Sequence, residues 1–177
     1  MHNDNWRRLR TLVVVPCHAV WSLTGNPAMD ISWFLNKFQR GEPKLYLEHI
    51  RRAVEFVKSE SRALLVFSGG QTNAAAGPIS EAQGYWLIAE RLGLWERDVK
   101  HRSTTDEYAV DSFENLLFSI CRFYECVRVY PTRVKLFGWR FKESRFDFHR
   151  LAIRFPSNAF EYIGVNDPFP ADFGRTG

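Results

Sequence analysis

Two short runs of uninterrupted apolar residues punctuate a chain whose charges are otherwise spread evenly. Leu12-Val-Val-Val-Pro16 and Ala63-Leu-Leu-Val-Phe67 contain no polar position. A strand covered on both faces reads this way, whereas a strand with one wet face alternates. Between the runs, Lys44–Ser59 places Leu47, Ile50, Val54 and Val57 at helical spacing with charges between them. Beyond the second run, Ser80 has the form of an N-cap for a helix reaching about Leu92 and stopped by Gly93. The pattern then predicts a short strand at Val99–Ser103 and a helix over Tyr108–Tyr124 with Phe113, Leu116, Leu117 and Ile120 on its apolar face. A strand at Val134–Phe137, a helix over Phe141–Ile153 and a last strand at Phe160–Val165 complete the reading. The connection Cys17–Pro43 carries Trp21, Trp33, Phe34 and Phe38; a segment of this length is expected to be functional or partly helical.

Strands that alternate with helices argue for an α/β fold, a mostly parallel sheet with helices on both faces. Right-handed crossovers then bring the strand-to-helix loops to one edge, and ligands of open parallel sheets bind beyond the carboxyl ends of the strands. The topology therefore predicts where the working site lies. At 177 residues the chain has the length of a single domain, 1–177 with a core over 12–165. It has a polar amino terminus and, over Asn166–Gly177, a surface tail containing Pro and Gly.

Composition narrows the picture only a little. No run approaches the ~20 apolar residues of a membrane span, and Met1–Arg10 is too polar for a secretory signal. Three cysteines, Cys17, Cys121 and Cys126, make an odd set without metal-ligand spacing, which leads us to expect reduced thiols and a cytoplasmic protein. The net charge of +4 suits an anionic partner as well as an ordinary surface. Basic residues are dispersed and no recognition motif appears, so no nucleic acid is expected as a partner.

Five segments carry candidate chemistry. Pro16-Cys17-His18 leaves the first strand, placing a thiol beside an imidazole, although neighbours in extended chain point apart. Ser68-Gly69-Gly70-Gln71-Thr72 follows the second strand, where glycines let N–H groups approach a ligand or simply make a tight turn. At Ser80-Glu81 plain helix capping would explain both residues, while a carboxylate there competes with phosphate for the terminus and could instead hold a sugar hydroxyl, an amine or a metal. Glu107, Asp111 and Asn115 fall at helical spacing on one face, near Ser112 and Glu114. Lys142, Arg145 and His149 form a cationic stripe, either an anion site or a solvated face.

Ser68-Gly69-Gly70, Ser80-Glu81-Ala82, and Glu107 followed by Asp111-Ser112-x-Glu114-Asn115 together resemble the SanA/ElyC/YdcF family over about Leu12–Val165. Pro16-Cys17-His18-Ala19 and Phe141-Lys142-x-x-Arg145-Phe146 are similar to its eukaryotic branch without a membrane anchor. The resemblance implies a Rossmann-like three-layer sandwich. It also implies a cleft formed by Ser68, Gly69, Gly70, Ser80, Glu81, Glu107, Ser112, Glu114, Asn115 and Arg145, and ligands of carbohydrate or nucleotide-like character. Where many bacterial members carry a Thr-Ser-x-x-His type segment, this chain has Phe137-Gly-Trp-Arg-Phe-Lys142, so Lys142, His149 or His18 would have to replace that histidine.

These residues lead to the expectation of an enzyme, with hydrolysis as the reaction class considered first, acting on a polar, phosphorylated or nucleotide-like small molecule. Glu81, Glu107, His18 and Arg145 are the catalytic candidates. Ser68, Gly69, Gly70, Gln71, Thr72, Ser80, Ser112, Glu114, Asn115 and Lys142 are the binding candidates. A divalent metal held by Glu81 and a second carboxylate is compatible with the spacing but not required by it. The competing expectation is a non-catalytic module for a nucleotide-like or adenosyl ligand, with Trp21, Trp33 or Trp139 stacking on a base.

Overall fold

The computed structural model describes residues 4–168. Five strands form one all-parallel sheet: β1 (Thr11–Pro16), β4 (Ala63–Ser68), β5 (Ser103–Asp106), β6 (Arg133–Trp139) and β7 (Phe160–Asn166). Their spatial order is β5-β4-β1-β6-β7. Helices α1 (Pro43–Ser59) and α2 (Glu81–Arg91) cover one face, and α4 (Ser112–Val127) and α5 (Glu143–Ala152) cover the other. The short α3 (Arg97–His101) precedes β5. The result is a Rossmann-like α/β sandwich. Among the described residues no helix is long and apolar enough to cross a membrane.

The uninterrupted apolar runs owe their form to this layering. Val13, Val15, Leu65 and Phe67 point into the core under α1 and α2. Leu12, Val14, Leu64 and Val66 point into the core under α4 and α5. Successive strand residues face opposite ways, so a central strand coated on both sides has no position left for a polar side chain.

The chain leaves β1 towards β4 and β5 on one side, then returns through α4 to β6 on the other side of β1. The connections that follow β1 and β6 therefore diverge to opposite faces of the sheet, which opens a crevice beyond their carboxyl ends. Pro16, Ser68 and Asp106 lie in one row across β1, β4 and β5, so three strands end level beneath that crevice.

Several boundaries differ from the sequence pattern. The predicted strand at Val99–Ser103 is the end of α3, and the strand runs through Ser103–Asp106, whose polar residues hid it. α4 begins at Ser112, not Tyr108, because the Asp111 carboxylate caps it by accepting the Glu114 N–H at 2.9 Å. Tyr108, Ala109 and Val110 form the preceding loop, so Glu107 and Asp111 do not share a helix face. The long connection holds β2 (Val20–Trp21) and β3 (Trp33–Phe34), a two-residue antiparallel pair with short 3-10 turns. In the predicted tail, Asn166 closes β7 and donates to the Glu48 carboxylate at 2.6 Å; residues 169–177 lie outside the described residues.

Candidate functional site

A cavity of about 470 Å³ occupies the crevice. Its floor is Cys17 and His18 from the exit of β1. Glu81 and Thr72 close it on the α2 side, and Asp111, Ser112 and Asn115 on the α4 side. Trp139, Lys142 and Arg145 come from the exit of β6. The insertion after β1 supplies a further wall of Phe34, Asn36, Phe38, Gln39 and Glu42.

Glu81 is the first residue of α2 and is only 7% exposed. Burial pushes its carboxyl up to about 7, against the opposing pull of the Thr72 hydroxyl, which donates to it at 2.5 Å, and of the nearby Lys142 ammonium. A carboxyl with that value exchanges a proton at neutral pH. Lys142 is half-buried and shifted down, first by burial and then by Arg145, while Glu81 and Glu42 pull it back up. Neither Lys142 nor Arg145 has an ion-pair partner among the described residues. The turn that carries Lys142 is pinned by Asp167, whose carboxylate accepts the Phe141 N–H at 2.9 Å and pairs with Arg140 at 3.1 Å.

The Ser68-Gly69-Gly70 segment has a structural role that differs from the expected ligand cradle. Neither glycine has positive φ. The Gly69 N–H donates to Asp106 O at 3.0 Å and the Gly70 N–H to Ala109 O at 2.7 Å, so both are taken up internally. The glycines are required for close approach: a Cβ at Gly69 would stand 2.9 Å from the Cβ atoms of Cys17 and Glu81. The start of α2 is closed as well, since the Glu81 and Ala82 N–H groups donate to Gly70 O and Gly69 O and the Gln83 N–H to Ser80 Oγ. None of these amides is therefore left to hold an anion.

Ser68 is fully buried beneath the cavity. Its hydroxyl donates to Asp106 at 2.7 Å and accepts from Asn115 Nδ2 at 3.0 Å. It braces Asn115, which does reach the cavity. Ser80 caps α2 and donates to Glu107 Oε2 at 3.0 Å. The other Glu107 oxygen accepts from Thr105 at 3.0 Å, so Glu107 props the start of α2 from outside and does not line the cavity. Gln71 donates to Pro78 O at 3.5 Å, and Glu114 accepts the Val110 N–H at 2.8 Å; neither lines the cavity. A second hollow of about 790 Å³ beside β5 includes Gln71, Glu107 and Arg122. Its ionic groups are engaged with their own neighbours, Arg122 with Thr104 at 3.0 Å and Glu125 at 3.1 Å.

His18 lines the cavity but is stacked on Trp139 with centroids 5.1 Å apart and edged by His49 at 5.4 Å. Burial, then the Lys142 charge, holds its pKa well below the usual histidine value, so the ring is neutral, and its buried Nε2 meets no protein partner. Cys17 is not a primed nucleophile. Burial and the Glu81 and Asp106 carboxylates push its thiol well up, and Sγ donates to Val15 O at 3.6 Å. Trp21 and Trp33 are packed in the core and cannot stack on a ligand, whereas Phe38 and Phe141 stand exposed at the cavity. His149 sits behind Ser112, with its Nε2 2.9 Å from the Ser112 hydroxyl.

Glu42 escaped the sequence reading. It is buried, accepts a hydrogen bond from the Tyr46 hydroxyl at 2.6 Å and is shifted up by burial. The one local signal was its place before Pro43, at the start of a strongly amphipathic helix. Among the described residues no group of three His, Cys, Asp or Glu side chains is placed to hold a metal ion.

Uncharacterized protein YOR238W of Saccharomyces cerevisiae is 31% identical to this chain over 212 residues, which cover 93% of the chain and 70% of the yeast protein. No family model and no solved structure matches the chain.

Proposed function

This chain belongs to the same family as the yeast protein YOR238W, and we propose that it is a hydrolase acting on a phosphorylated or nucleotide-like small molecule. One observation carries the reading: in one crevice a buried carboxyl with a pKa of about 7, Glu81, stands with two cations, Lys142 and Arg145, that have no acidic ion-pair partner among the described residues. A cation pair without a counter-ion is poised for an anionic ligand, and a near-neutral carboxyl is poised to take a proton from water.

In this mechanism Lys142 and Arg145 hold the phosphoryl oxygens and offset the charge that builds on them. Ser112, backed by His149, donates a hydrogen bond to the ligand, while Asn115, whose amide N–H groups both go to Ser68, presents its Oδ1 as an acceptor. Glu81 accepts a proton as water adds to phosphorus. Lys142, whose burial makes its proton easier to give up, protonates the departing ester oxygen. His18 contributes a neutral ring, stacked on Trp139, to the cavity floor. Of the residues behind the resemblance to the SanA/ElyC/YdcF family, Glu81, Ser112, Asn115 and Arg145 line this cavity, which supports placing the chain in that wider group. Three free cysteines accord with a cytoplasmic setting.

The reading is tested by a thermal-shift screen against nucleotides and sugar phosphates, followed by product analysis for each ligand that raises the melting temperature. A stabilising ligand whose effect disappears in Arg145→Ala, and whose turnover disappears in Glu81→Gln, is the expected result. Ligand effects untouched by either substitution would overturn the assignment. The exposed faces of Phe38 and Phe141 favour a second reading, a binding module that grips a flat ligand. Tight binding without product in the same screen would select it.

A further inference from the structure

We infer that the cavity accepts the single negative charge of a phosphodiester and rejects the dianion of a phosphomonoester, with Glu42 as the residue that sets this preference. The inference rests on the phosphoryl chemistry proposed above and narrows its substrate.

The charges facing the cavity are Glu42, Glu81 and Asp111 against Lys142 and Arg145. With Glu81 ionised the balance is −1, and with Glu81 protonated it is zero. His18 adds nothing because its ring is neutral. The backbone amides at the two helix starts are largely engaged. Those at the start of α2 end on Gly69 O, Gly70 O and Ser80 Oγ. At the start of α4 the Glu114 N–H ends on Asp111, whose own carboxylate repels an anion. On this balance each further negative charge on the ligand meets unfavourable potential, so a monoanion enters more readily than a dianion.

Glu42 lines the cavity while also holding the hydroxyl of the buried Tyr46. It occupies the cap position of α1 yet makes no side-chain cap, and Pro43 behind it has no N–H to satisfy. Its carboxylate is instead held by the Tyr46 hydroxyl at the cavity wall. Tyr46 is itself fully buried, so the carboxylate is anchored rather than free to swing into solvent. Lys142 feels both Glu42 and Glu81, each of which raises its pKa. The apolar rim fits as well: Phe38 and Phe141 offer exposed surfaces for the substituents of a diester, of which a monoester has only one.

The reaction balances with water as the co-reactant. Water oxygen bonds to phosphorus, one P–O ester bond breaks, the water proton goes to Glu81 and the leaving oxygen takes a proton from Lys142. The products are an alcohol and a phosphomonoester, and the second charge of that product favours its expulsion from the same carboxylates.

The test measures kcat/KM at pH 8 for bis(4-nitrophenyl) phosphate and for 4-nitrophenyl phosphate, with the wild type and Glu42→Gln. The wild type is expected to prefer the diester, and the substitution to shift the ratio about tenfold towards the monoester, as one unit charge across a cavity does at an effective dielectric of about 20. Should Glu42→Gln fold poorly, Tyr46→Phe releases the same carboxylate at nearly constant volume and is expected to shift the ratio the same way by less. Preference of the wild type for the monoester, or a ratio unmoved by the substitution, would overturn the inference while leaving phosphoryl hydrolysis intact. Neither ester turned over nor bound would sink both together.

Discussion

Replacing Glu81 by Gln is expected to stabilise the protein at alkaline pH while removing its activity. Burial raises the Glu81 carboxyl from 4.5 to about 7. Between those values the folded chain holds a proton that the unfolded chain has released, so this group lowers stability as pH rises. At about 1.4 kcal/mol per pKa unit, the cost grows from roughly 1 kcal/mol at pH 5 to roughly 3 kcal/mol at pH 8. Glutamine keeps the shape and an oxygen for the Thr72 hydroxyl but has nothing to ionise. Urea unfolding of both proteins at pH 5 and pH 8 measures the difference. Glu81→Gln should gain roughly 2 kcal/mol on the wild type between the two pH values, a shift of several degrees in melting temperature for a chain of this size. Curves that run parallel across that interval would show that Glu81 is not held protonated near neutrality, and the assignment of a proton acceptor would fail with it. A residue that costs stability where its function needs it is the usual compromise of an active site.

Two further outcomes follow from the close packing beneath the cavity. Gly69→Ala should destabilise the fold by about 1–3 kcal/mol and impair ligand binding, because the new methyl would sit 2.9 Å from the Cβ atoms of Cys17 and Glu81, which are fixed to the backbone; unfolding curves together with the thermal-shift response to ligand measure both. With a thiol reagent at pH 7.5, the exposed Cys121 should react first and the buried Cys17 only on unfolding, read as the number of thiols modified over time in native and denatured protein.

The layered core was legible because the central strands have nothing polar in them, and the position of the crevice followed from strand order once the sheet was known to be parallel. Ser68, Gly69 and Ser80 stood out in the sequence for residue type, yet their roles in the fold are mechanical. A glycine needed to let Glu81 approach looks no different in sequence from one that cradles a phosphate. Glu107 and Asp106 show the limit of spacing arguments. β5 ends at Asp106, whose carboxylate accepts the inward Ser68 hydroxyl, while Glu107 turns outward to Ser80 and Thr105. A strand boundary misplaced by a few residues hides which carboxylate turns inward to Ser68. Glu42, Asn36 and Gln39 lie in an insertion without periodicity, and only the tertiary fold brings that insertion over the crevice.

The most direct test of the site is a crystal structure of the protein with a dinucleoside phosphorothioate diester. Its phosphorus should lie between Lys142 and Arg145, with a water held by Glu81 on the side away from one ester oxygen. The same compound seated beside β5, against Arg122 and Glu107, or bound with Glu81 turned away from phosphorus, would contradict the account.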